Sequence, residues 1–178
     1  MKMKNEIRKT VYSAFFLAVG LTLPFLTMQI KEIGDSLLPM HLPVLLCGLI
    51  CGAKYGFTVG LILPFLRSLL FGMPAIYPAA VWMSFELCTY GLVIGVVMLL
   101  LKKKSLKNIY ISLVLAMIAG RIVWGISKWF LLSLGNLNSS FTLTAFVVGG
   151  FVDAIPGIIL QLILVPLIAT LYFKHSKN

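Results

Sequence analysis

Long apolar stretches separated by short polar segments dominate this sequence. A helix needs about 20 apolar residues to cross a hydrocarbon core about 30 Å thick. The pattern therefore predicts an all-α integral membrane protein with six transmembrane helices, two of them short. The predicted helices run from about Lys9 to Met28, His41 to Cys51, Phe57 to Phe71, Pro78 to Leu101, Ile109 to Leu134 and Thr142 to Phe173.

Composition strengthens this interpretation. The chain has 178 residues, of which 60% are hydrophobic and 11% charged, and its mean hydropathy is +1.04. Such a chain predicts one membrane domain over residues 1–178, with no room for a second, soluble domain. The sequence contains no Gly-rich phosphate loop and no HExxH motif, so ATP hydrolysis and a zinc site have no support in it. Cys47 and Cys51 are interpreted as packing residues.

The net charge of +10 comes from lysines and arginines that mostly flank the apolar stretches. That placement is typical of an orientation signal and not of a nucleic-acid site. The lysines at both chain ends and at 102–107 predict that both termini are cytoplasmic. The opposite side receives three longer connections, which predict a pocket capped from outside: Gln29–Met40, Gly72–Tyr77 and Gly135–Phe141.

One predicted span carries a carboxylate. Trp82, Glu86 and Tyr90 are spaced four residues apart, so they share a helical face. An ionisable group on a spanning helix costs about 2.5–3.5 kcal/mol on insertion scales. Glu86 is therefore expected to face a partner or a wet cavity.

Depth along the helices suggests partners for the buried charges. At about 1.5 Å per residue, Glu86 and Lys128 lie at similar distances from the outer helix ends. Arg121 and Asp153 lie deeper, at similar levels. We therefore predict the pairs Glu86–Lys128, as part of a ligand site, and Arg121–Asp153, as a structural ion pair. Both pairs also fit a role limited to neutralising each other.

The remaining candidates are weaker. Arg67 is a leftover cation that would either bind an anionic group or extend to the membrane interface. His41 fits either a helix-capping role or a ligand contact, and Asn136 fits an ordinary polar loop as well as a site. The candidate ligand-binding residues are Trp82, Glu86, Trp124, Lys128, Arg67, Asn136 and His41.

Several stretches resemble the substrate-binding S components of energy-coupling factor (ECF) vitamin transporters. One is Ala14-Phe-Phe-Leu-Ala18, which is similar to the alanine-x-x-x-alanine motif of that family. A small-xxx-small pair is weak evidence alone, but six predicted spans and the loop pattern accompany it here. The other stretches that carry the resemblance are 41–52, 64–78, 85–91, 140–146 and 156–161.

The resemblance implies a protein that is no enzyme and needs no cofactor or metal. S components are six-helix proteins that bind a vitamin from outside the bacterial cytoplasmic membrane. They associate with a transmembrane coupling subunit, here through Ala14 and Ala18, and with two cytoplasmic ATPases that hydrolyse ATP. The S component is thought to topple in the membrane and release its ligand inward.

The ligand is less defined. Spare cations beside an acceptor-rich carboxylate suit a small ligand with a carboxylate and hydroxyls. Among S components, the sequence most resembles pantothenate-type members, and members for pyridoxine, niacin, folate and cobalamin remain alternatives. Two other classes compete: a small channel or scaffold, and an intramembrane enzyme that uses Glu86 or Asp153 as its base.

Overall fold

The computed structural model describes residues 2–27, 36–134 and 142–175, and these residues are helical apart from short connections. Seven α-helices follow one another, with a 3₁₀ turn at Leu23–Thr27 and π-helical turns at Ile76–Ala80 and Val148–Val152. The helices are α1 (Lys2–Thr22), α2 (His41–Cys51), α3 (Ala53–Phe71), α4 (Val81–Leu101), α5 (Leu106–Leu134), α6 (Leu143–Val147) and α7 (Ile155–His175).

Four helical stretches are long and apolar enough to cross a membrane. They are Ala53–Phe71, Ile76–Leu101, Leu106–Ser133 and Ile155–His175. Two further apolar stretches, His41–Cys51 and Leu143–Val152, are shorter. The prediction of an all-α membrane fold agrees with this, and the number of six spans stays a prediction.

Several helix boundaries differ from those predicted. The first helix begins at Lys2, seven residues before Lys9, and α5 begins at Leu106, three residues before Ile109. The predicted turn after Cys51 is only Gly52, so α3 begins four residues earlier than Phe57. The last predicted helix is not continuous, because a π-helical turn separates α6 from α7. The first helix changes to a 3₁₀ turn after Thr22, next to Pro24, since proline cannot donate a backbone hydrogen bond. Met28 and the loop 135–141 lie outside the described residues.

Helix α4 packs against both α2 and α3 at backbone distance. A Cβ atom added to Gly91 would overlap the backbone of Gly56 in α3, and one added to Gly48 in α2 would lie 2.5 Å from the Gly91 carbonyl oxygen. Such small-residue contacts let helices associate by close packing in a medium that supplies no hydrophobic driving force between them. The contacts also fix directions: α2 runs parallel to α4, and α3 runs antiparallel to it.

The upper end of the bundle, defined as the end where α4 begins and α5 ends, is joined to α1 through Arg67. Arg67 is 4% exposed, and its Nη1 donates a 2.8 Å hydrogen bond to the carbonyl of Leu21 in the last turn of α1. The guanidinium also lies 5.3 Å from the ring centre of Phe25 and 5.6 Å from that of Phe71. Arg67 thus holds the end of α1 against α3.

We expect Gly91→Ala to destabilise the protein, because the backbone of Gly56 cannot move aside as a flexible side chain could. Overpacking of this kind costs about 1–3 kcal/mol or more of unfolding free energy. Gly149→Ala is the matched control, since its Cβ would meet Trp124 at an ordinary 3.5 Å. Thermal unfolding in detergent measures both, and equal melting temperatures for the two variants would contradict the close contact.

Candidate ligand-binding site

The centre of the bundle holds one buried ion pair. Arg121 of α5 donates a 2.9 Å hydrogen bond from Nη1 to Oε1 of Glu86 in α4. Glu86 is 2% exposed and Arg121 is 4% exposed. A buried carboxylate costs too much to stand alone, so the pair explains how an apolar helix tolerates Glu86.

A histidine from a third helix completes this cluster. His41 begins α2, and its Nε2 lies 3.1 Å from Glu86 Oε1, although neither ring nitrogen makes a hydrogen bond within the described residues. Its ring packs edge-on against Tyr90 with centres 4.9 Å apart. Tyr90 in turn lies so close to Gly120 of α5 that a Cβ there would overlap the phenol ring. Helices α2, α4 and α5 therefore meet at one polar level, which we name the deep layer (His41, Glu86, Tyr90 and Arg121).

Two tryptophans and a lysine lie above the deep layer, toward the upper end. Lys128 Nζ lies 4.7 Å from the ring centre of Trp124 and 5.5 Å from that of Trp82. The guanidinium of Arg121 lies 5.9 Å from the ring centre of Trp124 on its lower side. Cations over indole faces are attracted by the ring quadrupole. The predicted residues Trp82, Trp124 and Lys128 are thus brought together, one to two turns above Glu86.

Both predicted ion pairs were wrong. Arg121 was expected to pair with Asp153, but its carboxylate partner is Glu86. Glu86 was expected to pair with Lys128, but it contacts Arg121 and His41. The cause is an offset between helices: Arg121 lies 13 residues before the end of α5, whereas Glu86 lies eight residues after Pro78. With 29 residues, α5 extends past α4, so levels counted from the two upper ends differ by about 8 Å.

Other predicted residues lie elsewhere. Arg67 contacts the end of α1 and the ring of Phe71, as described above. Asp153 is exposed on the surface of the bundle, just after the π-helical turn. Asn136 lies outside the described residues. Among the described residues, no group of three or more His, Cys, Asp or Glu side chains is arranged to hold a metal ion.

Unpartnered polar atoms are concentrated in a few residues. Seven buried side-chain nitrogen and oxygen atoms of the described residues have no hydrogen-bond partner. Both ring nitrogens of His41, Nε and Nη2 of Arg121 and both amide atoms of Gln161 make up six of them, and Ser84 Oγ is the seventh. Buried polar groups in folded proteins are nearly always paired with protein groups or ordered water, so these residues are candidates for contact with a bound molecule.

Gln161 is a buried amide on the apolar helix α7, and neither atom of its amide has a hydrogen-bond partner among the described residues. It is 1% exposed on α7, one turn below Gly157. A Cβ at Gly157 would lie 2.7 Å from the Ser36 carbonyl oxygen and 2.8 Å from that of Leu37. Gln161 follows Gly157 by one helical turn, and His41 follows Leu37 after a short turn, so both residues lie close along the chain to this contact between α7 and the segment before α2.

One comparison with known proteins identifies the family of the chain. A family model described as "ECF transporter, substrate-specific component" matches residues 8–169. The chain belongs to this family. No curated protein and no solved structure matches the chain at the significance required. An ECF substrate-specific component is a membrane-embedded transporter subunit and not an enzyme, and such components associate in general with ECF module subunits and ATPases.

Membership agrees with four helical stretches long enough to span a membrane and identifies the chain as a multi-pass membrane protein. It gives the substrate-binding role to the protein as a whole and assigns no substrate. The residues that hold the substrate are therefore matters for proposal.

We expect Arg121→Met to lower the stability of this S component strongly, because it leaves Glu86 buried without a counter-charge. Breaking a buried pair on one side typically costs about 3–5 kcal/mol. The double variant Glu86→Leu with Arg121→Met should recover most of that loss, since both charges are removed together. Asp153→Asn, at an exposed position, is the control. Thermal unfolding in detergent measures the stability of all three variants. A double variant no more stable than Arg121→Met would contradict the pairing of Glu86 with Arg121.

Proposed function

We propose that this S component binds a small B-type vitamin between the deep layer and the residues above it, Trp82, Trp124 and Lys128. We further propose that it delivers the vitamin to an ECF coupling module. Pantothenate, or an acid of similar size, is the ligand that the residues favour. The observation that carries the proposal is the pair of buried Arg121 donors, Nε and Nη2, that have no partner among the described residues and belong to a guanidinium 5.9 Å from the ring centre of Trp124. A bound molecule would satisfy these donors.

The chemistry of the two levels supports a ligand with a polar end and a compact body. Indole rings supply apolar walls, and Lys128 adds a positive charge beside them. The deep layer adds the Glu86 carboxylate, with the Arg121 guanidinium 2.9 Å and the His41 imidazole 3.1 Å from its Oε1. Few precisely placed polar groups at the end of an apolar pocket are typical of small-molecule sites. Asn136, in the segment after α5, is proposed as a contact from above.

We further propose six membrane spans with both termini in the bacterial cytoplasm. The two short apolar stretches, His41–Cys51 and Leu143–Val152, would complete the four longer ones. The lysines at 102–104 and 107, together with Lys9 and Lys174, lie at the end of the bundle opposite the proposed pocket. The positive-inside rule then directs the pocket outward.

Helix α1 offers a surface for the coupling subunit. Ala14 and Ala18 are exposed on α1, and their neighbours Val11 and Phe15 are each 60% exposed. An uncovered face with two small residues one turn apart permits close approach of another helix. We propose this face as the docking site, with no part in binding the vitamin.

The direct test is to purify the protein from bacterial membranes and identify any co-purifying small molecule by mass spectrometry. Titration calorimetry with pantothenate, pyridoxine, nicotinate, folate and cobalamin then gives the specificity. Absence of a bound molecule together with no heat from any of the five would contradict the proposed function.

Lys128→Met should weaken binding of the vitamin selected by that titration by about tenfold, which corresponds to about 1.4 kcal/mol. A charge-assisted contact in a desolvated pocket is lost while the stem still fills the space. Lys104→Met is the matched control, because Lys104 Nζ also lies over an aromatic ring, 4.5 Å from the centre of Phe173, near the lower end. Equal affinities of the two variants would remove Lys128 from the site.

Ala14→Trp and Ala18→Trp should leave vitamin affinity unchanged in the purified protein and abolish uptake in cells that contain the coupling module. An indole on this face would hold the two helices apart. Leu99→Trp, at a 75% exposed position on α4, is the control and should transport normally. A loss of binding equal to the loss of uptake would show that α1 supports the pocket instead.

A further inference from the structure

Arg121 uses only part of its hydrogen-bonding capacity. Its Nη1 donates to Glu86, whereas Nε and Nη2 have no partner among the described residues. These two nitrogens form one edge of the planar guanidinium and present two parallel N–H groups. That edge matches the two oxygens of a carboxylate, so a single acid would satisfy both donors in a bidentate pair.

The unpartnered edge lies deep in the bundle. Arg121 is 4% exposed, so bulk water does not reach it freely. An unpaired buried donor costs about 1–3 kcal/mol, and more for a charged group. Two such donors on one buried side chain make Arg121 the strongest candidate among the described residues for contact with a bound polar group.

Two more buried side chains have unpartnered atoms on helices that pack together here. His41 Nδ1 and both amide atoms of Gln161 have no hydrogen-bond partner among the described residues. They come from α2 and α7, and α7 packs against both α2 and α5. The amide can donate and accept, so it suits a hydroxyl or amide group next to the acid on the same molecule.

We propose that the Nε–Nη2 edge of Arg121 receives a carboxylate of the transported solute, and that Gln161 hydrogen-bonds the polar group beside it. This inference rests on the proposed function and adds the acid as a requirement of the site. Glu86 is then a positioning residue, which holds Nη1 and so turns the opposite edge toward the solute. The substrate class is a small monocarboxylic acid with a neighbouring hydroxyl or amide.

The proposed carboxylate site at Arg121 differs from the anion-binding positions that the sequence suggested. Arg67 and Lys128 were the cations expected to bind an acid, yet Arg67 donates to the Leu21 carbonyl and Lys128 lies over two indole rings. Arg121 was expected to be structural. Among these three cations, Arg121 is the one for which buried donor atoms lack a partner in the described part of the chain.

Matched acid and neutral probes test the requirement. Pantothenate is compared with pantothenol, and nicotinate with nicotinamide, by titration calorimetry on the full chain in detergent. These partners differ in replacing the carboxylate by a neutral group. We expect the acid of the pair that binds to bind at least about tenfold more tightly than its neutral partner. Equal affinity within that pair overturns the inference and leaves the proposed function standing.

Variants assign the effect to residues. Arg121→Gln alone leaves Glu86 buried and unpaired and risks misfolding, so the double variant Glu86→Gln with Arg121→Gln is used, because two amides can pair without charge. It should bind acid and neutral probes with equal affinity. Gln161→Met, similar in shape, should weaken the acid about tenfold. Ser84→Ala is the control, since Ser84 Oγ is also unpartnered but lies on another face of α4.

The outcomes separate the two proposals. A co-purifying molecule without an acidic group overturns this inference alone, as does an unchanged acid preference in the double variant. A co-purifying acid outside the two pairs is compared with its own amide, and a preference for the acid supports the inference. If nothing co-purifies and no probe binds, the proposed function fails and this inference fails with it.

Discussion

The buried pair of Glu86 and Arg121 is the contact on which the arrangement of the helices depends. Neither charge is stable alone in an apolar bundle, so α4 and α5 must keep the register that joins them. His41 lies against the same carboxylate oxygen, which ties the beginning of α2 to this register. A polar contact that allows one register only is a stronger constraint than apolar packing, which tolerates small shifts.

Helix α4 holds Glu86 in position for this pair because its opposite face is in backbone contact with α2 and α3. Gly91 and Gly48 bring the backbones of α2 and α3 against α4. Movement of α4 along its axis would collide with a neighbouring backbone, so Glu86 is held at a fixed level. These backbone contacts keep α4 in place against α2 and α3, and the Glu86–Arg121 pair keeps α5 in register with it.

Sequence predicted much of this fold and less of the site. The bounds of α2 were predicted correctly, since Pro, Gly and polar residues border a short apolar run. Trp82, Trp124 and Lys128 were correctly placed together, because helical spacing decides which residues share a face. The ion pairs were not predictable in the same way. They depend on how far one helix extends past another, which is a property of packing and has no periodic signal in the sequence.

The two buried arginines show how structure separates a structural charge from a functional one. Arg67 and Arg121 have the same 4% exposure, and both lie on apolar helices, so neither burial nor sequence context distinguishes them. Arg67 bonds a backbone carbonyl and lies near two phenyl rings, and no atom of it is among the buried unpartnered ones of the described chain. Arg121 has a carboxylate on one side and two unsatisfied donors on the other.

A charge needed only for stability would be selected toward full pairing, because every buried unpaired donor lowers the free energy of unfolding. The incomplete pairing of Arg121 is therefore the feature on which the proposal that it binds the ligand rests.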